Sequence, residues 1–143
     1  MRRLVPTLVV LFLLTALRAD GPAIATPHVA LSIEPSKTRV GLARVYLSIG
    51  ELRWHDGMLE GRYTIRVPMS PSSNDSGTIR LHAPGSLEQI RRRGATLAGH
   101  AESAENGERS SVLCDVQRDG RLRIEITTDK RRLSFDTRYR TTG

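Results

Sequence analysis

Four histidines have the broadest chemical repertoire in this chain, because imidazole can bind metals and transfer protons near neutral pH. They are His28, His55, His82 and His100. A zinc site built from the last three would need adjacent strands, since no H-x-H or H-E-x-x-H spacing supplies ligands locally. Strand alternation also puts His82 and His100 on polar faces, opposite apolar neighbours. We therefore predict no metal site and no cofactor.

The single cysteine and the carboxylates are the other candidates for catalysis. Cys114 alternates with Val112 and Val116, which predicts a buried thiol, and a lone cysteine cannot form an intramolecular disulfide. No G-x-S-x-G elbow or phosphate-binding glycine loop is present. The acids stand beside arginines on polar faces, where ion pairs across strands are the expected role: Glu51, Asp56, Glu60, Glu125 and Asp136. The sequence predicts that the protein is not an enzyme.

Arginine dominates the charge of the chain, with 20 Arg against 2 Lys and a formal net charge of +7. This bias is typical of polyanion binding, because the guanidinium group forks onto phosphate and carboxylate, but a GC-rich genome also produces it. Aromatic residues make up only 4%, too few for the stacking platforms of single-strand nucleic-acid binders. Anionic polysaccharide, lipopolysaccharide or lipid are the remaining partners. The candidate contacts are Arg91, Arg92, Arg93, Lys130, Arg131 and Arg132.

The stretch from Gly50 to Pro68 is the clearest structural element, and it predicts a β-hairpin. From Leu59 to Val67 every second residue is apolar or glycine, with Met58, Glu60 and Arg62 beginning the polar series. Asp56-Gly57 lies at the turn, where a type I′ loop needs positive φ at both central residues. Gly50 predicts a bulge or bend just before this hairpin.

Further alternating segments predict a wholly antiparallel fold. We expect strands over 28–33, 39–49, 78–83, 95–102, 110–116 and 121–127, and another over 133–139, with a turn at 34–37 and a loop at 68–77. Ser86 and Gln89 form a capping box for one short helix over 86–93, which Gly94 ends. The fold class is therefore all-β, an antiparallel β-sandwich or closed β-barrel of about 8–9 short strands with one short helix near 86–93.

The first 25 residues predict a secretory signal peptide. Arg2 and Arg3 precede the apolar stretch 4–17, and Ala23-Ile24-Ala25 offers small residues for cleavage after Ala25. The apolar stretch is shorter than the ~20 residues that span a bilayer, so we expect cleavage and no membrane-spanning segment in the mature chain. The expected organisation is a signal peptide at 1–25 and a single β domain at 26–143, secreted or periplasmic.

The sequence thus favours an exported, non-catalytic binding or structural module. A closed barrel can enclose one small apolar ligand, and we expect Trp54, His55 and Tyr63 to contact it if one is carried. The alternative is a surface binder of anionic polysaccharide, lipopolysaccharide or lipid, through the six cations named above. We expect no nucleic-acid partner.

Overall fold

In a computed structural model, residues 30–83 and 85–142 form ten antiparallel strands and one α-helix. The predicted signal peptide, residues 1–25, and its cleavage site lie outside the described residues. The strands are β1 Ala30–Ile33, β2 Ser36–Val40, β3 Ala43–Ile49, β4 Leu52–His55, β5 Met58–Arg66, β6 Asp75–His82, β7 Ala95–Ser103, β8 Arg109–Val116, β9 Arg121–Thr127 and β10 Arg132–Thr142. Helix α1, Leu87–Arg93, lies between β6 and β7.

Eight of these strands close into a β-barrel. The order is β1-β4-β5-β6-β7-β8-β9-β10, and the pairing of β1 with β10 completes the ring. Ala30 faces Thr142 at this seam, and Ile33 faces Tyr139. The predicted all-β fold is confirmed, and it is a barrel. Closure leaves none of these eight strands as a free edge.

The other two strands, β2 and β3, continue the antiparallel pair of β1 and β4 and join it into one long hairpin. Ala30 faces Arg53 and Ser36 faces Leu47, so one register runs through both parts of the hairpin. Strand β3 also pairs with β5, beside β4. Between Ile49, which faces Tyr63, and Arg53, which faces Glu60, the β3–β4 segment advances four residues while β5 advances three. This extra residue is the bulge predicted at Gly50.

Inward-facing apolar side chains fill the barrel. Alternation along β5 buries Leu59 and Tyr63, as predicted, and Cys114 lies in the same core. Phe135, Leu97 and Ile124 have 0% exposed surface, so no water-sized space reaches these side chains.

Glycines inside two strands permit close approach of neighbouring chain. A Cβ on Gly61 would lie 2.8 Å from the carbonyl oxygen of Glu51, and one on Gly99 would overlap the carbonyl oxygen of Arg80. In both places a neighbouring backbone comes so near that a larger residue would collide with it.

The predicted helix and central turn are also confirmed. Ser86 and Gln89 cap α1 reciprocally, and Leu87 and Ile90 attach it to the core. Asp56 and Gly57 have φ values of 47° and 76°, as a type I′ loop requires. The Asp119-Gly120 hairpin is present as well, although only Gly120 has positive φ there.

Four boundaries differ from the sequence predictions. The segment 39–49 is not one strand, because a two-residue loop at 41–42 divides it between β2 and β3. The predicted turn at 34–37 is shorter, and strand pairing resumes at Ser36. Strand β6 begins at Asp75, inside the predicted loop 68–77. Strand β10 continues to Thr142, past the predicted end at 139, because its last residues pair with β1.

The loops lie at two ends of the barrel. We call the first the upper rim, formed by 41–42, 67–74, 104–108 and 128–131. The lower rim is formed by 56–57, 83 and 85–94, and 117–120, with the start of β1 and the end of β10.

Candidate anion-binding surface

The hairpin β2–β3 presents cations on the outside of the barrel, next to the upper rim. Its loop is Gly41-Leu42, and Gly41 takes a φ of 60° at the first loop position. Glycine adopts this positive φ without strain, whereas most other residues do not, and the two-residue loop can therefore reverse the chain. Reversal places Arg39 directly opposite Arg44, and both are exposed. Two like charges in this arrangement repel one another.

A second row crosses three strands next to this pair. Lys37 on β2 faces Tyr46 on β3, and Tyr46 faces Arg66 on β5. The Arg66 Cζ atom lies 5.5 Å from the centre of the Tyr46 ring, in cation–π range. Strands are about 4.8 Å apart, so the two cations flank the ring at a separation of roughly 10 Å between Cα atoms.

We call these four cations the basic face: Lys37, Arg39, Arg44 and Arg66. The segments 35–50 and 61–74, which supply it, contain no Asp or Glu. No ion pair involves any member of the basic face within the described part of the chain. Its charges are therefore available to an external anion.

An open groove of about 590 Å³ adjoins the basic face. Hydroxyl groups of Ser48 and Thr64, which face each other across β3 and β5, lie along it with Lys37 and Arg66. Cationic and hydroxyl donors together suit phosphate, sulfate or carboxylate oxygens.

The six cations that the sequence singled out lie at opposite ends of the barrel. Arg91, Arg92 and Arg93 form the last turn of α1 at the lower rim, where Arg92 donates to Glu88 at 2.9 Å. Lys130 and Arg131 lie in the β9–β10 turn at the upper rim, and Arg132 begins β10. The two clusters therefore do not form one surface. The second lies near the basic face, because β10 runs beside β2.

The sequence did not identify the basic face, although it carries a recognisable signal. Two acid-free segments, 35–50 and 61–74, together hold five cations: Lys37, Arg39, Arg44, Arg62 and Arg66. A single strand over 39–49, as the sequence predicts, would keep Arg39 and Arg44 apart, whereas the loop at 41–42 brings them face to face.

The residues predicted to contact an interior ligand are not brought together. Trp54 is half-buried near the lower rim, where it faces Leu59. The side chain of His55 is 87% exposed, with Nε2 3.3 Å from a carboxylate oxygen of Asp56. Tyr63 is buried four residues further along β5, roughly 13 Å from Leu59.

Tyr63 belongs instead to a partly buried polar cluster near the upper rim. Its hydroxyl donates to one carboxylate oxygen of Asp75 at 2.7 Å, and the Ser103 hydroxyl donates to the other at 2.7 Å. The Ser103 oxygen also accepts from the backbone N–H of Glu105. Burial and the Asp75 carboxylate both raise the pKa of Tyr63. These bonds tie β5, β6 and β7 together, a structural role that the sequence did not reveal.

Of the five acids predicted to form ion pairs across strands, Glu60 and Asp136 do so in the described structure. Arg80 donates to Glu60 at 3.1 Å, and Arg123 donates to Asp136 at 2.9 Å. Hydrogen bonds from Arg121 lower the pKa of Asp119 in the β8–β9 turn. A second groove, of about 730 Å³, lies at the lower rim. Both arginines and the carboxylates of Asp115 and Asp119 line it. Its charge is mixed, unlike that of the basic face.

Comparison of the chain with protein-family models, curated proteins and solved structures gave no match. Among residues 30–83 and 85–142, no helix is long and apolar enough to cross a membrane. In the same residues, no three His, Cys, Asp or Glu side chains are arranged to hold a metal ion. The candidate site therefore depends on its own geometry.

Proposed function

We propose that this protein is a non-catalytic binding module that attaches to anionic polymers or surfaces through its basic face. The observation that carries the proposal is an exposed array of Lys37, Arg39, Arg44 and Arg66 with no acid in the segments that supply it. Directly opposed arginines cost stability in the free protein, and a bound anion would relieve their repulsion. The groove beside them offers hydroxyl donors to the same ligand.

The interior of the barrel gives less support to the carrier that the sequence also allowed. Side chains at its centre, such as Phe135 and Ile124, are fully enclosed by their neighbours. A ligand there would have to displace packed side chains, whereas the basic face is open. The export predicted for the chain fits an exterior site, since it would bring the basic face to extracellular or envelope anions.

The test compares two variants with equal changes of net charge. In the first, Lys37, Arg39, Arg44 and Arg66 are all replaced by Gln; in the second, Arg91, Arg92, Arg93 and Arg118 at the lower rim are replaced by Gln. Binding to immobilised heparin, as a model polyanion, is measured between 50 mM and 200 mM salt. Each cation near an anionic surface contributes about 1 kcal/mol, so we expect the first variant to lose at least about a hundredfold in affinity.

The slope of log affinity against log salt should also become shallower by about three in the first variant. The second variant should bind within about threefold of the wild-type protein. Equal losses in the two variants would mean that net charge, not the basic face, governs binding. Wild-type affinity in the first variant would contradict the proposal directly.

A further inference from the structure

Two large apolar side chains project from the upper rim beside the basic face. Leu42, in the β2–β3 loop, is 93% exposed, and Met69, in the loop after β5, is 75% exposed. The third exposed large hydrophobic side chain among the described residues, Leu113 on β8, is 46% exposed. Leu42 and Met69 lie at the same end of the neighbouring strands β3 and β5.

Neither side chain contributes to the folded core. Turn positions usually carry Gly, Asn, Asp or Ser, which satisfy the geometry without exposing apolar surface. At the β2–β3 loop, Gly41 meets the conformational demand, so folding does not require leucine at the next position. An apolar side chain at a loop tip becomes favourable when something covers it.

The charges around Leu42 and Met69 indicate what kind of partner could cover them. Arg39 and Arg44 flank Leu42 in the hairpin, and Arg66 precedes Met69 by three residues. An anionic bilayer offers both an apolar layer and negative headgroups, so it can match apolar tips ringed by cations. A polysaccharide matches the cations but provides no apolar layer.

We propose that the upper rim docks on an anionic lipid bilayer, with Leu42 and Met69 entering the interface and the basic face contacting headgroup phosphates. This inference rests on the proposed function and names its partner. Lys130 and Arg131, in the adjacent β9–β10 turn, lie at the same rim and would approach the same surface.

The test measures partitioning of the full chain onto vesicles of phosphatidylcholine, with and without phosphatidylglycerol. One variant carries Leu42→Ser and Met69→Ser; a control carries Leu113→Ser. All three substitutions remove exposed apolar surface, so circular dichroism should show unchanged folding. The N-terminal residues are the same in every variant, and any contribution they make to partitioning therefore cancels in the comparison.

We expect the double variant to partition onto the anionic vesicles at least about tenfold more weakly, and the Leu113→Ser control to match the wild-type protein. Heparin binding should stay unchanged in both, because neither alters a cation. A Leu42→Trp variant should show a blue-shifted emission on anionic vesicles as the new indole leaves water.

Other outcomes separate this inference from the proposed function. Vesicle binding that does not depend on Leu42 and Met69, or heparin binding without vesicle binding, would overturn the docking inference and leave the polyanion module intact. Absence of both kinds of binding would overturn the two together.

Discussion

At the scale of single residues, burial decides the chemistry of the polar groups inside the barrel. Asp75 accepts hydrogen bonds from Tyr63 and Ser103, and its carboxylate therefore links β6 to β5 and β7. Cys114 is almost fully buried, and burial raises the pKa of its thiol to about 12. Burial thus keeps the Cys114 thiol protonated and out of contact with solvent, whereas Asp75 is half-buried and both of its carboxylate oxygens accept hydrogen bonds.

Because of the buried Cys114 thiol, we expect the folded protein to become less stable in alkali. The unfolded chain releases this proton near pH 8.5, whereas the folded chain holds it to about pH 12. Folding is then favoured fully below the unfolded pKa, and this contribution is lost as the pH rises. The free energy of unfolding should fall by up to about 1.4 kcal/mol per pH unit above pH 9.

Urea denaturation of the wild-type protein and Cys114→Ala at pH 7, 9 and 10.5 measures this effect. The substitution lowers stability at pH 7 by opening a small cavity, but it should make the decline above pH 9 less steep. An identical decline in the two proteins would show that the thiol is not the group responsible. Burial also raises the pKa values of Tyr63 and Tyr139, so some decline should persist in the variant.

At the scale of elements, the β2–β3 hairpin carries like charges that lower the stability of the folded protein. Arg39 and Arg44 face each other across a pair of strands joined by only two residues. Cross-strand pairs change stability by about 0.2–1 kcal/mol, and like charges lower it. This hairpin also bears Leu42 at its tip. The proposed anion binding rests on these features of the hairpin.

Replacing Arg39 by Thr should stabilise the folded protein by about 0.5 kcal/mol at low ionic strength and weaken heparin binding about fivefold. Thr keeps strand propensity, so the main change is the removal of one charge. Urea denaturation at 20 mM and 1 M salt tests the physical cause. The stabilisation should vanish at high salt, where the screening length falls to about 3 Å. A gain that persists in 1 M salt would point to packing instead of repulsion.

At the scale of the whole molecule, closure of the barrel couples the two ends of the described chain. Strand β1 pairs with β10, and Thr142 donates to the carbonyl oxygen of Ala30, 112 residues earlier. Such distant pairing must form before the ring is complete, and proteins dominated by non-local contacts fold slowly.

We therefore expect refolding on the millisecond-to-second timescale and a single cooperative unfolding transition. Stopped-flow fluorescence of Trp54, the only tryptophan, follows the β4–β5 hairpin, and far-ultraviolet circular dichroism follows the whole sheet. The two probes should give the same rate. Refolding within microseconds, or separate transitions for the two probes, would contradict the picture of one closed unit.

Most of the fold could be predicted because its information is local. The Asp56-Gly57 turn, the cap formed by Ser86 and Gln89, and the alternation along β5 are each written in a few neighbouring residues. The hairpin loop at 41–42 was missed because its glycine comes first instead of second, unlike the Asp-Gly signal.

By itself, the sequence determined which faces are buried, where most strands lie, and that the chain is strongly basic. Those properties follow from alternation, turn chemistry and composition, which act over a few residues. Only the tertiary structure decided that the sheet closes, that Arg91–Arg93 and Lys130–Arg132 lie at opposite ends, and that four other cations share one face. These depend on register and closure between strands far apart in the chain, where pairing brings together residues that have no pattern in common along the sequence.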